Sequence, residues 1–273
     1  MINAQLDVKR FQVVNTLLFF FVIVVNALAN IIPVGGYNTG EISDMYPNLF
    51  VPIPLTFSIW LIIYIGLGLF ILYQWGFLSG WSDDHRQVTA DIGWVFALSC
   101  LLNGLWIFLW HYLYTGLSLI VMFLLLFSLL VIYQRLWQRK SKTAQEKRYV
   151  VAPFSLYFGW ITVATIANVT TVLVDLGWDG FGISDEIWTT IMIAAAFLIT
   201  LGVLFTKRDL IYGLVVVWTV AGIYLRHTGE LMGEYPLVIF VAALTGGVLL
   251  LLMVLMGIGV IGKGQPKGTL YYQ

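Results

Sequence analysis

Asn103, Trp106 and Trp110 stand at i, i+3 and i+7 inside one apolar run, and Ala164, Thr165 and Asn168 stand inside another. A third run opens on Pro52-Ile53-Pro54 and carries Phe57, Trp60 and Tyr64 at helical spacing. Leu, Ile and Val would suffice in hydrocarbon. An amide, hydroxyl or indole placed there must find a partner or lose roughly several kcal/mol. Such groups line helix contacts or a cavity. The chemistry they offer is recognition: indole and phenyl faces for flat apolar contact, amides and hydroxyls for a polar edge. No Ser-His-Asp or Cys-His arrangement accompanies them.

The elements that must position them are membrane spans. The chain has 273 residues, 60% hydrophobic and 10% charged, with a mean hydropathy of +0.91. A soluble domain averages about 45–50% apolar and about 25% charged. A bilayer core takes about 20 apolar residues per helix. Eight segments qualify, at about 11–33, 54–75, 93–113, 116–134, 150–174, 187–206, 210–226 and 236–262. The seventh is the shortest. The runs are too long and continuous for a β-barrel. The fold class is an all-α integral membrane protein.

Charge orients the bundle. With the N-terminus inside, all of the 14 Lys and Arg except Arg226 fall on one side, from Lys9 and Arg10 to Lys263 and Lys267. This is a strong positive-inside pattern and predicts both termini on the cytoplasmic face of a cell membrane. The cluster Arg135, Arg139, Lys140, Lys142, Lys147 and Arg148 reads as an orientation signal with anionic-lipid contact. A net charge of zero without long charge blocks argues against nucleic acid as a partner. The single Cys100 excludes an intramolecular disulfide.

At about 1.5 Å per residue, Asn103 and Trp160 fall near the midplane, while Phe57, Trp60, Trp106, Trp110 and Asn168 fall in the outer half. Trp160, Ala164, Asn168 and Thr171 form one stripe. Two plainer readings stand beside a pocket. Trp75, Trp81, Trp94, Trp137, Trp178 and Trp188 lie near interfaces and read as an aromatic belt. Asn103 and Asn168 can equally be interhelical hydrogen-bond glue.

These same residues carry a family resemblance. Pro52-Ile53-Pro54, Phe57, Trp60, Tyr64 and Gly66 resemble the second helix of the translocator / tryptophan-rich sensory protein family. Asn103-Gly104-Leu105-Trp106 is similar to its third helix. Pro153 through Trp160 to Ala164-Thr165-Ile166-Ala167-Asn168 is similar to its fifth. The resemblance covers residues 10–175 and implies a five-helix bundle around a ligand cavity, lidded by the loop after the first helix. It implies a tetrapyrrole such as protoporphyrin as the possible ligand, with no certain cofactor, and a pocket role for Pro52, Phe57, Trp60, Asn103, Trp106, Ala164, Thr165 and Asn168. Two departures are visible. Leu55 follows Pro54 where the family has Gly, and Val172 stands where it often carries Trp. Residues 187–262 form a three-helix extension that resembles a longer branch of the family.

The lid is expected over Val34–Val51, flexible through Gly35, Gly36 and Gly40, with Tyr37, Tyr46, Leu49 and Phe50 as its apolar surface. His227, Glu230 and Glu234 have metal-ligand spacing, but Gly229 and Gly233 favour a solvated loop. Asp83, Asp84 and His85 read as another. His111 reads as an interfacial residue, with axial ligation of a metallated tetrapyrrole as the alternative. No ionisable residue lies mid-span, which weakens an ion-coupled transporter.

The expectation is a membrane protein that binds a small planar, apolar or lipid-like ligand for sensing or transport. The alternatives are a membrane enzyme acting on a lipid-soluble substrate, or a partner-binding membrane protein. Membrane lipids are the other expected partners. Gly246-Gly247 and Gly257-x-Gly259 suit close packing within the chain or in a homo-oligomer.

Overall fold

The computed structural model describes residues 2–32, 34–78, 84–140 and 142–261. Trp81, Asp83, Lys263 and Lys267, and the last residues of the first and eighth expected spans, lie outside these. Eleven α-helices run in the order α1 (Ile2–Ile31), α2 (Thr39–Asp44), α3 (Ile59–Gln74), α4 (Asp84–Ile92), α5 (Trp94–His111), α6 (Thr115–Gln138), α7 (Ala144–Glu146), α8 (Ala152–Asp175), α9 (Asp185–Lys207), α10 (Leu210–Thr228) and α11 (Pro236–Gly257). Among the described residues, eight helices are long and apolar enough to cross a membrane. α2, α4 and α7 are short connectors that hydropathy does not reveal.

Local chemistry sets the ends. Pro54 opens a 3-10 turn, Pro54–Ser58, that leads into α3, where a missing N–H costs nothing. Asp209 caps α10 by accepting from the Ile211 and Tyr212 amides. Ser184 caps α9. α7 passes through a π-turn, Lys147–Val151, into α8. Leu113 takes a positive φ of 60° where the chain reverses between α5 and α6.

α1, α3, α5, α6 and α8 pack together, and α10 leans on α8 while α9 and α11 cover α10. Gly159 on α8 allows the α8–α10 approach: a Cβ there would lie 3.2 Å from Val215. Small residues of α11 divide. Gly246 faces Val220 of α10, whereas a Cβ at Gly247 or Gly257 would stand in open space.

Part of the basic cluster is consumed inside the protein. Arg139 donates to the buried Glu146 and pairs with Asp91, and Arg135 donates to the Asp91 and Ile92 carbonyls. Burial pulls the Lys142 pKa down, against the pull of Glu146. These residues tie α4, α6 and α7 at the end of the bundle away from the lid.

Candidate functional site

At the lid end, α3, α5 and α8 bring four Trp side chains together. Tyr64, Trp60, Trp106 and Trp110 form a stacked ladder, with centroid separations of 5.4, 6.5 and 5.6 Å and interplanar angles of 17°, 29° and 21°. Trp160 stands edge-on to Trp60 at 6.1 Å and 82°, and Phe57 stands edge-on to Trp160 at 6.0 Å and 85°. Both geometries suit aromatic quadrupoles. Where the ladder meets the α8 stripe, the packing leaves a thin apolar slot.

Six of the eight residues singled out in the sequence line this slot: Pro52, Phe57, Trp60, Trp106, Ala164 and Asn168. Ala164 and Ala167 supply the narrow side chains that keep it open. The other two residues lie elsewhere. Thr165 is buried and donates back to the Ile161 carbonyl at 2.6 Å, the i−4 habit of a helical Thr. Asn103 is 1% exposed and serves as a node between helices. Its Oδ1 accepts from Asn26 at 2.9 Å and from the Tyr64 hydroxyl at 3.4 Å, and its Nδ2 donates to the Tyr157 hydroxyl at 2.8 Å. Those bonds join α1, α3, α5 and α8, so the glue reading describes its geometry.

Asn168 faces both ways. Its Oδ1 accepts from the Trp106 indole at 3.2 Å and its amide exchanges bonds with Ser118 of α6, while the side chain also borders the slot. Trp160 is different: its Nε1–H is buried and has no hydrogen-bond partner. A buried N–H of this kind costs about 1–3 kcal/mol and is relieved by an acceptor. Val172, at the position where the resemblance expects Trp, is not among the lining residues.

The lid closes the slot through Thr39, Ser43, Phe50, Val51 and Pro52. It is more ordered than a glycine-rich connector. Asn38 and Glu41 form a capping box that starts α2, and Gly40 lies within that helix. Gly35 is required by a close approach: at φ 79°, its absent Cβ would sit 2.7 Å from the His111 carbonyl oxygen. Burial, then the Asp175 carboxylate, raise the Tyr46 phenol pKa, so the lid meets the bundle with a neutral ring. Trp110 donates its indole N–H to the Thr39 carbonyl at 3.2 Å, and the His111 ring lies 3.2 Å from Thr39 Oγ1. His111 is thus buried under the lid.

Several lining residues carry no mark of their own in the sequence. Val163 and Ala167 follow from the α8 stripe once Trp160 and Ala164 are placed on it. Thr219 reaches the slot from α10. Nothing local marks it, because its role depends on how the extension docks. His227 is buried in the last turn of α10 and bonds the Leu49 carbonyl at 2.8 Å; it does not sit in a solvated loop. Glu230 pairs with Arg226 at 3.6 Å. Among the described residues no group of three or more His, Cys, Asp or Glu could hold a metal. A wider groove between α1 and α3 meets the slot at Thr39, Phe57 and Trp60.

Neither a curated protein nor a solved structure matches the chain. A family model described as TSPO-like protein matches residues 12–256, which takes in the slot, the lid and most of the last three long helices. The chain is a polytopic membrane protein of the TSPO-like family.

Proposed function

We propose that this protein binds a planar, largely apolar ligand in the slot, for sensing or transport. The observation that carries the reading is a thin slot walled by stacked indoles and faced by the narrow Ala164 and Ala167. A flat conjugated body fits such a slot. Apolar cavities with few polar groups are the usual form of small-molecule sites. A tetrapyrrole is the ligand class the family resemblance favours. Trp60, Trp106 and Phe57 would supply flat contact, and Asn168 and Trp160 the polar contacts. Asn103 and Thr165 would act from behind the wall, by holding helices in place.

The same reading places both termini on the cytoplasmic face and divides the chain into a slot-bearing bundle, 10–175, and a supporting extension, 187–262. Gly247 and Gly257 leave part of α11 smooth enough for a second copy.

Absorbance titration of the protein in nanodiscs with protoporphyrin tests the function. Saturable binding near one equivalent, with a spectral shift distinct from that of empty nanodiscs, is expected. A linear, non-saturating signal equal to that of empty nanodiscs contradicts it.

A further inference from the structure

The lid does not rest on the five-helix bundle alone. One stripe of α10, Trp218, Gly222 and Arg226 at i, i+4 and i+8, runs along the lid and the segment, residues 52–58, that leads from it into α3. The Trp218 indole donates to the Thr56 carbonyl at 2.9 Å. The Ile53 amide donates to the Gly222 carbonyl at 3.2 Å. Arg226 meets Asp44 Oδ1 with both terminal nitrogens at 3.1 Å, and one of them reaches the Pro52 carbonyl at 3.5 Å. Beside the stripe, His227 bonds the Leu49 carbonyl.

Gly222 is the tightest point. A Cβ there would lie 2.0 Å from Thr56 Oγ1 and 2.9 Å from Pro52 Cβ. No side chain fits without moving the segment that carries Pro52 into the slot wall. Arg226 is also the one basic residue that the charge pattern leaves on the lid side. Its partner Asp44 ends α2, and the ion pair therefore holds the far edge of the lid while Gly222 seats the near edge.

We propose that α10 is the latch of the lid, with Gly222 and Arg226 as positioning residues that set how readily the lid opens over the slot. The kinetic half of this proposal rests on ligand binding in the slot; the lid half does not. Local openings of this kind occur below the free energy of global unfolding and are read by amide exchange.

The experiment is hydrogen–deuterium exchange of the full-length protein in nanodiscs, without ligand, read over residues 34–58. Gly222→Leu and Arg226→Ala should each speed exchange there, by about tenfold and about threefold respectively, with α5 and α6 unchanged. Gly247→Leu, on the open face of α11, should leave the lid as it is. Placing Arg at 44 and Asp at 226 together (D44R/R226D) should restore slow exchange, a rescue that general loosening of α10 would not give. Unchanged lid exchange in both single variants overturns the latch. If Gly222→Leu accelerates exchange in every span, Arg226→Ala decides, and unchanged lid exchange in that variant overturns the proposal.

Stopped-flow protoporphyrin fluorescence then reads the kinetic half. Association and dissociation should both rise in Arg226→Ala with affinity little changed. A loosened lid with unaltered rates contradicts gating by α10 and points to access through the α1–α3 groove. Absence of saturable porphyrin binding in the wild type defeats the ligand reading, while lid exchange still decides the latch.

Discussion

The same three helices carry two aromatic clusters with opposite outcomes. At the end away from the lid, Phe70 of α3, Phe96 of α5 and Phe154 of α8 meet edge-to-face, with centroids 5.1, 5.1 and 5.7 Å apart, and all three are fully buried. At the lid end, Trp60, Trp106 and Trp160 come from the same helices and leave a slot. Aromatic content therefore does not make a cavity. Three phenyl rings close a triangle without any hydrogen bond to satisfy. Stacked indoles form a flat wall, the opposing α8 stripe is narrowed to Ala164 and Ala167, and one indole N–H goes without a partner. The difference separates residues that hold the bundle together from residues free to meet a ligand.

The largest effect is expected in the closed cluster. Phe154→Ala should cost about 3–5 kcal/mol, because the surrounding rings cannot collapse into the hole. Thermal unfolding in detergent checks this, and the protein that remains folded should bind protoporphyrin normally. A comparable loss of binding per folded molecule would show that the two clusters are not independent.

Next come the two asparagines. Asn103→Ala takes one of two acceptors from the Asn26 amide and the donor from the Tyr157 hydroxyl, and Asn168→Ala strands the Trp106 N–H. Each should destabilise by about 1–3 kcal/mol. Only Asn168→Ala should also weaken protoporphyrin, since Asn103 does not reach the slot. Paired melting and titration curves separate glue from wall; equal losses of affinity would erase the distinction.

The smallest effect has an unusual sign. Trp160→Phe removes a buried donor that has no partner, so the ligand-free protein should be no less stable, and by up to about 1 kcal/mol more stable. Protoporphyrin affinity should nevertheless fall severalfold. Lower apo stability with unchanged affinity would assign the Trp160 N–H to the fold.

Much of the architecture is legible because hydropathy and charge act through local sequence. The span at 187–206 matches α9, Asp185–Lys207, within two residues. Hydropathy carries the eighth span to 262, but α11 ends at Gly257, followed by a turn in which Gly259 takes a positive φ of 76°. The short helices α2 and α4 escape hydropathy because polar or mixed segments lying across a bundle end carry no hydrophobic period long enough to see. Asn103 is placed at pocket depth by its position along the span. Depth says nothing about lateral neighbours, and its partners Asn26 and Tyr157 lie far away in sequence. Asn26 itself is a usable signal, an amide deep in the first apolar run, as Asn15 and Asn30 are on either side of it. Arg226 is visible as the exception to the charge pattern, but its service to the lid depends on how α10 docks.

The central claim is that the Trp cluster at the lid end borders a ligand slot and the Phe70–Phe96–Phe154 cluster does not. The protoporphyrin isotherm of Ala164→Phe, measured beside Ala97→Phe, addresses it most directly. Ala164 lines the slot, whereas Ala97 is packed at the closed end beside Phe96. A phenyl at 164 should fill the slot and remove saturable binding while leaving the unfolding temperature close to that of the wild type. A phenyl at 97 should overpack the core, at a cost of about 1–3 kcal/mol, and leave the isotherm of the folded protein intact. Wild-type binding by Ala164→Phe would contradict the account.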